Sequence, residues 1–284
     1  MRRLLKALTF SAFLISLQAV VTPFAPAHAL ADQSKTNDSI IWGVNSAPPF
    51  HILDGYFANQ GVCDQMIAAF ERALPNVEQQ IEYYPQARIA AQIRQGGNLC
   101  FPCMIRNVSP AEIVTYSDRV FSYPPHGIIT RPELAKEFTE RFGNPVDLVE
   151  MLKQRSYRFA QPMGRRYGNL QPYIERFLLN SEQYSEVSGK DANANMLAMV
   201  NAKRVDFVID YPILLNYHNQ VLPIDLVFVP ILQNQGIAVE GAVGCPATPW
   251  GKRAIELINE AIPAVQQDPQ FQAAKDRWLL LQNP

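Results

Sequence analysis

No basic excess runs through this sequence. Lys and Arg number 25 against 26 Asp and Glu, so nothing here attracts nucleic acid or an anionic membrane surface. The chain is also poor in histidine, with four. None lies at metal-ligand spacing from a cysteine, and no second C-x-x-C follows Cys100-x-x-Cys103, so no zinc signature is present. A thioredoxin-like reading of that pair fails too, because such a motif opens a helix and 99–105 reads as a strand. There is no Walker loop, no Ser-His-Asp arrangement, no repeat, no low-complexity tract and no long linker. Apolar runs are short. The longest, Leu8 to Val21, is broken by Ser11, Ser16 and Gln18 and followed by Pro23 and Pro26, which makes a poor membrane span.

That run has another use. Arg2, Arg3 and Lys6 precede it and Ala27-His28-Ala29 ends it, the pattern of a secretory leader with an A-x-A cleavage site. No cysteine sits at the cleavage point; the first is Cys63. The expectation is a free, exported, periplasmic protein cut after Ala29. Removing the leader's three basic residues leaves 22 against 26 acidic, a net charge of −4. The remaining 255 residues suit one large domain or two lobes, and 48% hydrophobic content supplies a core that does not depend on disulfides. Even so, four cysteines in an exported chain favour disulfides. Cys63, Cys100, Cys103 and Cys245 allow three pairings, and spacing does not choose among them.

Strand-like and helix-like segments alternate. Ile40-Ile41-Trp42-Gly43-Val44 reads as a buried strand. Val62, Met66, Ala69, Phe70 and Ala73 recur at helical spacing up to Pro75. Gln80-Ile81-Glu82-Tyr83-Tyr84 is a second strand, and a helix through Ile89 and Ile93 ends at Gly96-Gly97. The pattern then repeats. Asn144-Pro145 predicts an N-cap with proline at N1, 157–160 and 205–209 predict strands, and Met196, Leu197 and Val200 mark the helix before the latter. A strand at 226–231 follows. Two helices close the chain, one carrying Ala254, Ile255, Ile258 and Ile262, the other opening at Asp268-Pro269. Alternation of this kind predicts two α/β lobes. The chain is expected to cross between them around 127–130 and to return at 233–236, giving lobe 1 as 39–127 plus 236–284 and lobe 2 as 128–235. Two crossings make a hinge.

The order of elements resembles the bacterial extracellular solute-binding proteins of family 3, the polar amino-acid type, over about 40–281. Trp42-Gly43-Val44 with Pro48-Pro49-Phe50 resembles the first strand and its ligand-facing loop. Gly61-Val62-Cys63-Asp64 resembles the opening helix, Arg94-Gln95-Gly96-Gly97-Asn98 the turn before the third strand, Tyr116-Ser117-Asp118 and Phe121-Ser122-Tyr123 the "F-S-x-P-Y" element, and Ala202-Lys203-Arg204-Val205-Asp206 the second-lobe "G-R-V-D". Pro249-Trp250-Gly251 matches the return to the first lobe. A subgroup with a strand-three cysteine and Cys-Pro before Trp-Gly is closer still. The resemblance implies a two-lobed type II periplasmic binding protein: a monomeric, cofactor-free clamp that binds a small polar or zwitterionic solute and feeds the membrane component of an ABC importer. A periplasmic dehydratase-like enzyme and a sensor-associated binding module are the alternatives on this scaffold. For an enzyme, Glu112, Asp118 and Asp210 are the carboxylates to consider as acid or base.

Two departures stand out. The family's "T-P-E-R", whose arginine grips the ligand carboxylate, is replaced by 107–112, with Pro110 at the arginine's place. The family's amine-binding aspartate is matched by Tyr211, with Asp210 one residue early. Arg106, at the end of the third strand, and Arg88 are candidates to replace the arginine. Phe50, Tyr123 and Tyr211 are candidate aromatic walls, and Asp210, ending an apolar strand, is the candidate carboxylate. Gly164-Arg165-Arg166-Tyr167-Gly168 lies between a strand and a helix, where backbone N–H groups and two arginines can cradle an anion. His51 and His126, lone histidines beside prolines, are read as structural, with lining of a cleft as the alternative.

Overall fold

The computed structural model describes residues 39–279, apart from 107, 108, 164 and 190. The leader and its cleavage site lie outside the described residues. No helix among the described residues is long and apolar enough to cross a membrane.

The first sheet is laid down from both ends of the chain. β1 (Ser39–Val44) pairs in parallel with β2 (Glu78–Tyr83). A parallel bridge between Trp42 and Cys100 joins β1 to the segment leading into β3 (Phe101–Ile105). Two short strands follow, β4 (Val114–Tyr116) and β5 (Phe121–Tyr123). β11 (Val239–Pro246), from the far end of the sequence, runs antiparallel between β3 on one side and β4 and β5 on the other.

α1 (Val62–Ala73) buries Val62, Met66, Ala69 and Phe70 on one stripe. It begins at Gly61, where any side chain would collide with the Phe50 carbonyl, and Asp64 accepts the Gly61 N–H at 3.0 Å. α8 (Pro249–Gln267) opens on Thr248, whose Oγ1 accepts from Gly251 N–H. Asp268 caps α9 (Pro269–Trp278) through Gln270 and Phe271 N–H and takes a two-pronged bond from Arg72 of α1 at 2.8 Å on each prong. Trp42, Phe70, Phe271 and Trp278 share the resulting core. Burying each aromatic contributes about 1.5–3 kcal/mol relative to exposure.

The second sheet has five strands in the order β10 (Val227–Val229), β6 (Gly127–Thr130), β9 (Phe207–Asp210), β7 (Phe159–Pro162), β8 (Tyr184–Val187). β7 is parallel to both β8 and β9, while β6 is antiparallel to β9 and β10. Period-two alternation feeds two cores. Ile128, Phe207 and Ile209 face α3 (Pro132–Phe142), α4 (Leu148–Lys153) and α5 (Gln171–Phe177), whereas Ile129 and Val208 face α6 (Ala192–Asn201). α7 (Pro212–Val221) leaves β9 and carries Ile213 and Tyr217 onto the first sheet's core.

The chain passes between the sheets from Tyr123 to Gly127 and again from Val229 to Val239. The expected break at 127–130 is itself strand β6, so the passage comes just before it. The Asn144-Pro145 cap is also corrected. Val146 is held in extended backbone by Ile231 and the Pro230 carbonyl, so the helix starts later, capped by Asp147 through Val149 and Glu150 N–H.

The cysteines pair 63–103 and 100–245. Residues three apart on an extended chain face opposite ways. Cys100 therefore reaches β11 while Cys103 reaches α1, which also removes zinc coordination by this C-x-x-C as a unit.

Candidate functional site

Strand polarity decides which side chains meet. β7 and β9 are parallel, so their carboxyl ends share one edge, the edge where ligands bind in such sheets. Arg165 follows β7, and Asp210 ends β9. β6 runs the other way, with Gly127 opposite Asp210, so the preceding His126 arrives at the same edge. Tyr211 opens the turn into α7, and Tyr123 comes from β5 of the other sheet.

Asp210 is fully buried. Its Oδ1 accepts from Arg165 Nη2 at 2.6 Å and from Tyr211 N–H at 2.8 Å; its Oδ2 has no partner. Burial pushes this carboxyl up, against the opposing pull of Arg165 and the Tyr211 N–H. Arg165 Nη2 also lies 3.5 Å from His126 Nε2. The His126 ring stacks on Tyr211 at 3.8 Å, and Tyr211 meets Tyr123 edge-on at 5.2 Å. Burial, reinforced by Arg165, lowers His126 to about 3, and burial raises Tyr211 to about 12. At neutral pH the His126 and Tyr211 rings are therefore uncharged beside the Arg165–Asp210 contact.

Arg165 is a quarter exposed and forms part of the wall of a cleft of about 550 Å³. The cleft is lined from the first sheet's side by Asn45, Ser46, Asp54 and Gln86, and from the second's by Asp191, Asn193 and His218. Asn45 and Ser46 follow β1 and Gln86 follows β2, so the parallel strands of both sheets deliver their carboxyl ends to one space.

The structure gathers Tyr123, Arg165, Asp210 and Tyr211 into this cluster, with Phe50 edge-on to Tyr123 at 5.5 Å and Tyr167 edge-on to His126 at 5.3 Å. Tyr167 is wholly buried and its hydroxyl has no partner. Three expected arginines lie elsewhere. Arg106 donates to the Ser117 carbonyl at 3.1 Å and reaches Glu240 at 3.5 Å. Arg88 stacks on Tyr84 at 4.2 Å, beside a separate hollow against Gln92 and Gln95. Arg166 pairs with Glu175 near solvent.

In the loop following β7, two backbone donors are already engaged within the chain. Arg165 N–H donates to the Pro162 carbonyl and Tyr167 N–H to Gln171 Oε1; Gly164 lies outside the described residues. Of the three nominated carboxylates, Glu112 and Asp118 are exposed, and Asp210 alone is at the cleft edge. Sequence reasoning missed Asn45, Asp54, Gln86, Asp191 and Asn193; a polar loop at the carboxyl end of a strand was the available signal. It also missed the contribution of His126.

Solved structures share this fold. The extracellular-binding protein ytmK of Bacillus subtilis, a probable amino-acid ABC transporter component, aligns at a TM-score of 0.63, with 13% identity over 85% of this chain and 98% of that one. An ancestral amino-acid-binding protein, a precursor of cyclohexadienyl dehydratase, aligns at 0.61, with 14% identity over 87% and 97%. The chain has the two-lobed solute-binding-protein fold. An ancestral arginine-binding protein bound to arginine gives 0.59, with 15% identity over 86% and 99%. No family model and no curated protein matches the chain. The resemblance read from the order of elements thus holds for the solute-binding fold, whose cleft here is the space between the two sheets' carboxyl edges.

Proposed function

We propose that this chain is an exported receptor for a small polar or zwitterionic, amino-acid-like solute, and that it delivers that solute to an ABC importer. The supporting observation is the polar cleft with Arg165 in its wall and aspartates on both sides. Arg165 has donors beyond the one given to Asp210, and its planar fork suits a carboxylate. Asp54 and Asp191 suit an amine. Tyr123, Tyr211 and His126 form the floor behind Arg165. In this reading Asp210 does not bind the amine itself; it holds the guanidinium in place.

Lobe 1 is the chain up to the passage before β6 plus 236–284, and lobe 2 is the stretch from β6 to 235, closing about the segments before β6 and after β10. A solute touching Asp54 and Arg165 at once stabilises the closed form by its differential affinity. The receptor works as a monomer in the periplasm, after cleavage at Ala29, without catalysis.

A thermal-shift screen of the mature protein against amino acids, amines, carboxylates, short peptides and sugars tests this. A ligand at 100 times its dissociation constant adds about 2.7 kcal/mol. A selective hit, recovered chemically unchanged and lost in Arg165→Gln, supports the receptor. A hit converted to product refutes it in favour of an enzyme, and a flat panel refutes the solute class.

A further inference from the structure

His51 is a histidine without an evident task. It is completely buried. Its Nδ1 lies 2.9 Å from Asp64 Oδ1, and the other Asp64 oxygen accepts from Ile52 N–H at 2.9 Å and Gly61 N–H at 3.0 Å. The carboxylate is thus fixed by two backbone donors, and it fixes the ring in turn. The opposite nitrogen, Nε2, is buried with no hydrogen-bond partner. A desolvated ring nitrogen left unpaired is costly. Beside the same ring lies the Cys63–Cys103 disulfide: one ring nitrogen and the two sulfurs are all within 4.8 Å of one another.

We propose that, once the Cys63–Cys103 bond is reduced, Cys63, Cys103 and His51 form a binding site for a zinc ion. The chemistry of the donors supports this. Two thiolates and a neutral imidazole are preferred zinc ligands. A carboxylate behind the ligating histidine is the usual means of orienting the ring and setting its tautomer, and Asp64 already occupies that position. Reduction by a thiol donor consumes two R–SH, breaks the S–S bond, and yields two cysteine thiols and R–S–S–R. Zinc then forms two Zn–S bonds and one Zn–N bond as the two thiols release two protons. The sulfurs must separate to about 3.8 Å to sit on a tetrahedral ion with Zn–S near 2.3 Å. The Cα atoms of this pair, 6.0 Å apart, leave room for that by side-chain rotation. Cys103 is partly exposed, which gives reductant and metal a way in and leaves the fourth position to water. The other disulfide has no such neighbour: among the described residues, His51, Cys63 and Cys103 are the one group of three such donors this close.

The experiment uses the mature chain with Cys100→Ser and Cys245→Ser, so that the candidate pair holds the remaining cysteines. It is reduced with a phosphine and titrated with zinc against a chromophoric chelator, with circular dichroism confirming that it is folded. If that variant does not fold, the parent is used under reduction mild enough that peptide mapping finds the 100–245 bridge intact. One zinc per chain is expected, with a raised melting temperature, and cobalt in its place should show thiolate charge-transfer absorption. Asp64→Asn should weaken zinc binding 10- to 100-fold, and His51→Gln should weaken it at least as much. Oxidised protein should take up none. The proposal is overturned if folded, reduced protein takes up no zinc, or if His51→Gln binds it as tightly as its parent.

Discussion

Replacing Arg165 by methionine keeps much of the side-chain volume and removes the charge that faces Asp210. The carboxylate then sits fully buried with one remaining bond, from Tyr211 N–H. Breaking a buried pair in this way costs about 3–5 kcal/mol when the survivor stays charged. Protonation sets a ceiling on the loss. Taking up a proton at pH 7 against an unfolded-state pKa of about 3.9 costs about 4.2 kcal/mol, at about 1.36 kcal/mol per unit. At pH 5 the same arithmetic gives about 1.5 kcal/mol. In the variant the folded chain holds a proton that the unfolded chain releases above about pH 4, so its stability falls as pH rises, and the deficit relative to the parent shrinks on acidification. Urea unfolding of both proteins between pH 5 and 7 measures this deficit. Adding Asp210→Asn to Arg165→Met should recover most of the loss at pH 7 and flatten its pH dependence. A deficit below about 1 kcal/mol at pH 7, or one that does not change with pH, would show that Asp210 is not the isolated buried charge described above.

Other expectations use the same measurement. Burial holds His218 at about 4 in the folded chain, so the unfolded state binds its proton first, and stability should fall as pH drops from about 6.5 towards 4, with a slope near pH 5 approaching 1.4 kcal/mol per unit; His218→Gln should remove that share, and an unchanged slope contradicts it. Asp268→Ala loses both α9 cap bonds and the Arg72 fork and should cost about 1–2 kcal/mol, while Asp268→Asn, which can still cap, should cost less. Cys100→Ser with Cys245→Ser opens a bridge spanning 145 residues and should lower stability by about 2–5 kcal/mol, seen as a lower urea midpoint with the fold retained.

Elements with a strong one-sided stripe were legible in the sequence, α1, α8 and α9 above all. α3 was not, because Phe138 is its one fully buried side chain and its stripe is correspondingly faint. α7 was hidden for the opposite reason. Ile213, Leu214 and Leu215 are all buried, so no single face stands out. β4 and β5 have three residues each, too few for a period to show. In the site, Asp210 and Tyr211 were visible because an apolar strand ends in a carboxylate just before a proline. The arginines were not separable by such means. Arg106 finds Glu240 across 134 positions and Arg165 finds Asp210 across 45, and local pattern holds no record of either partner. His126 is not legible as a site residue because its value lies in staying neutral against Tyr211, a contact made only once β6 has paired with β9.

The position of β11 bears on the order in which the molecule can assemble. All five strands of the second sheet lie between residues 127 and 229, an uninterrupted stretch. The first sheet lacks its internal strand until residues 239–246 are present. A chain emerging from its N-terminus therefore displays β3, β4 and β5 with no partner between them while the later-made half can already close upon itself. Unpaired strand edges of that kind invite wrong pairing. The early segment must stay open until the chain is almost finished, and the Cys100–Cys245 bond, which cannot form before residue 245 has emerged, fastens the first-made segment to the returning strand.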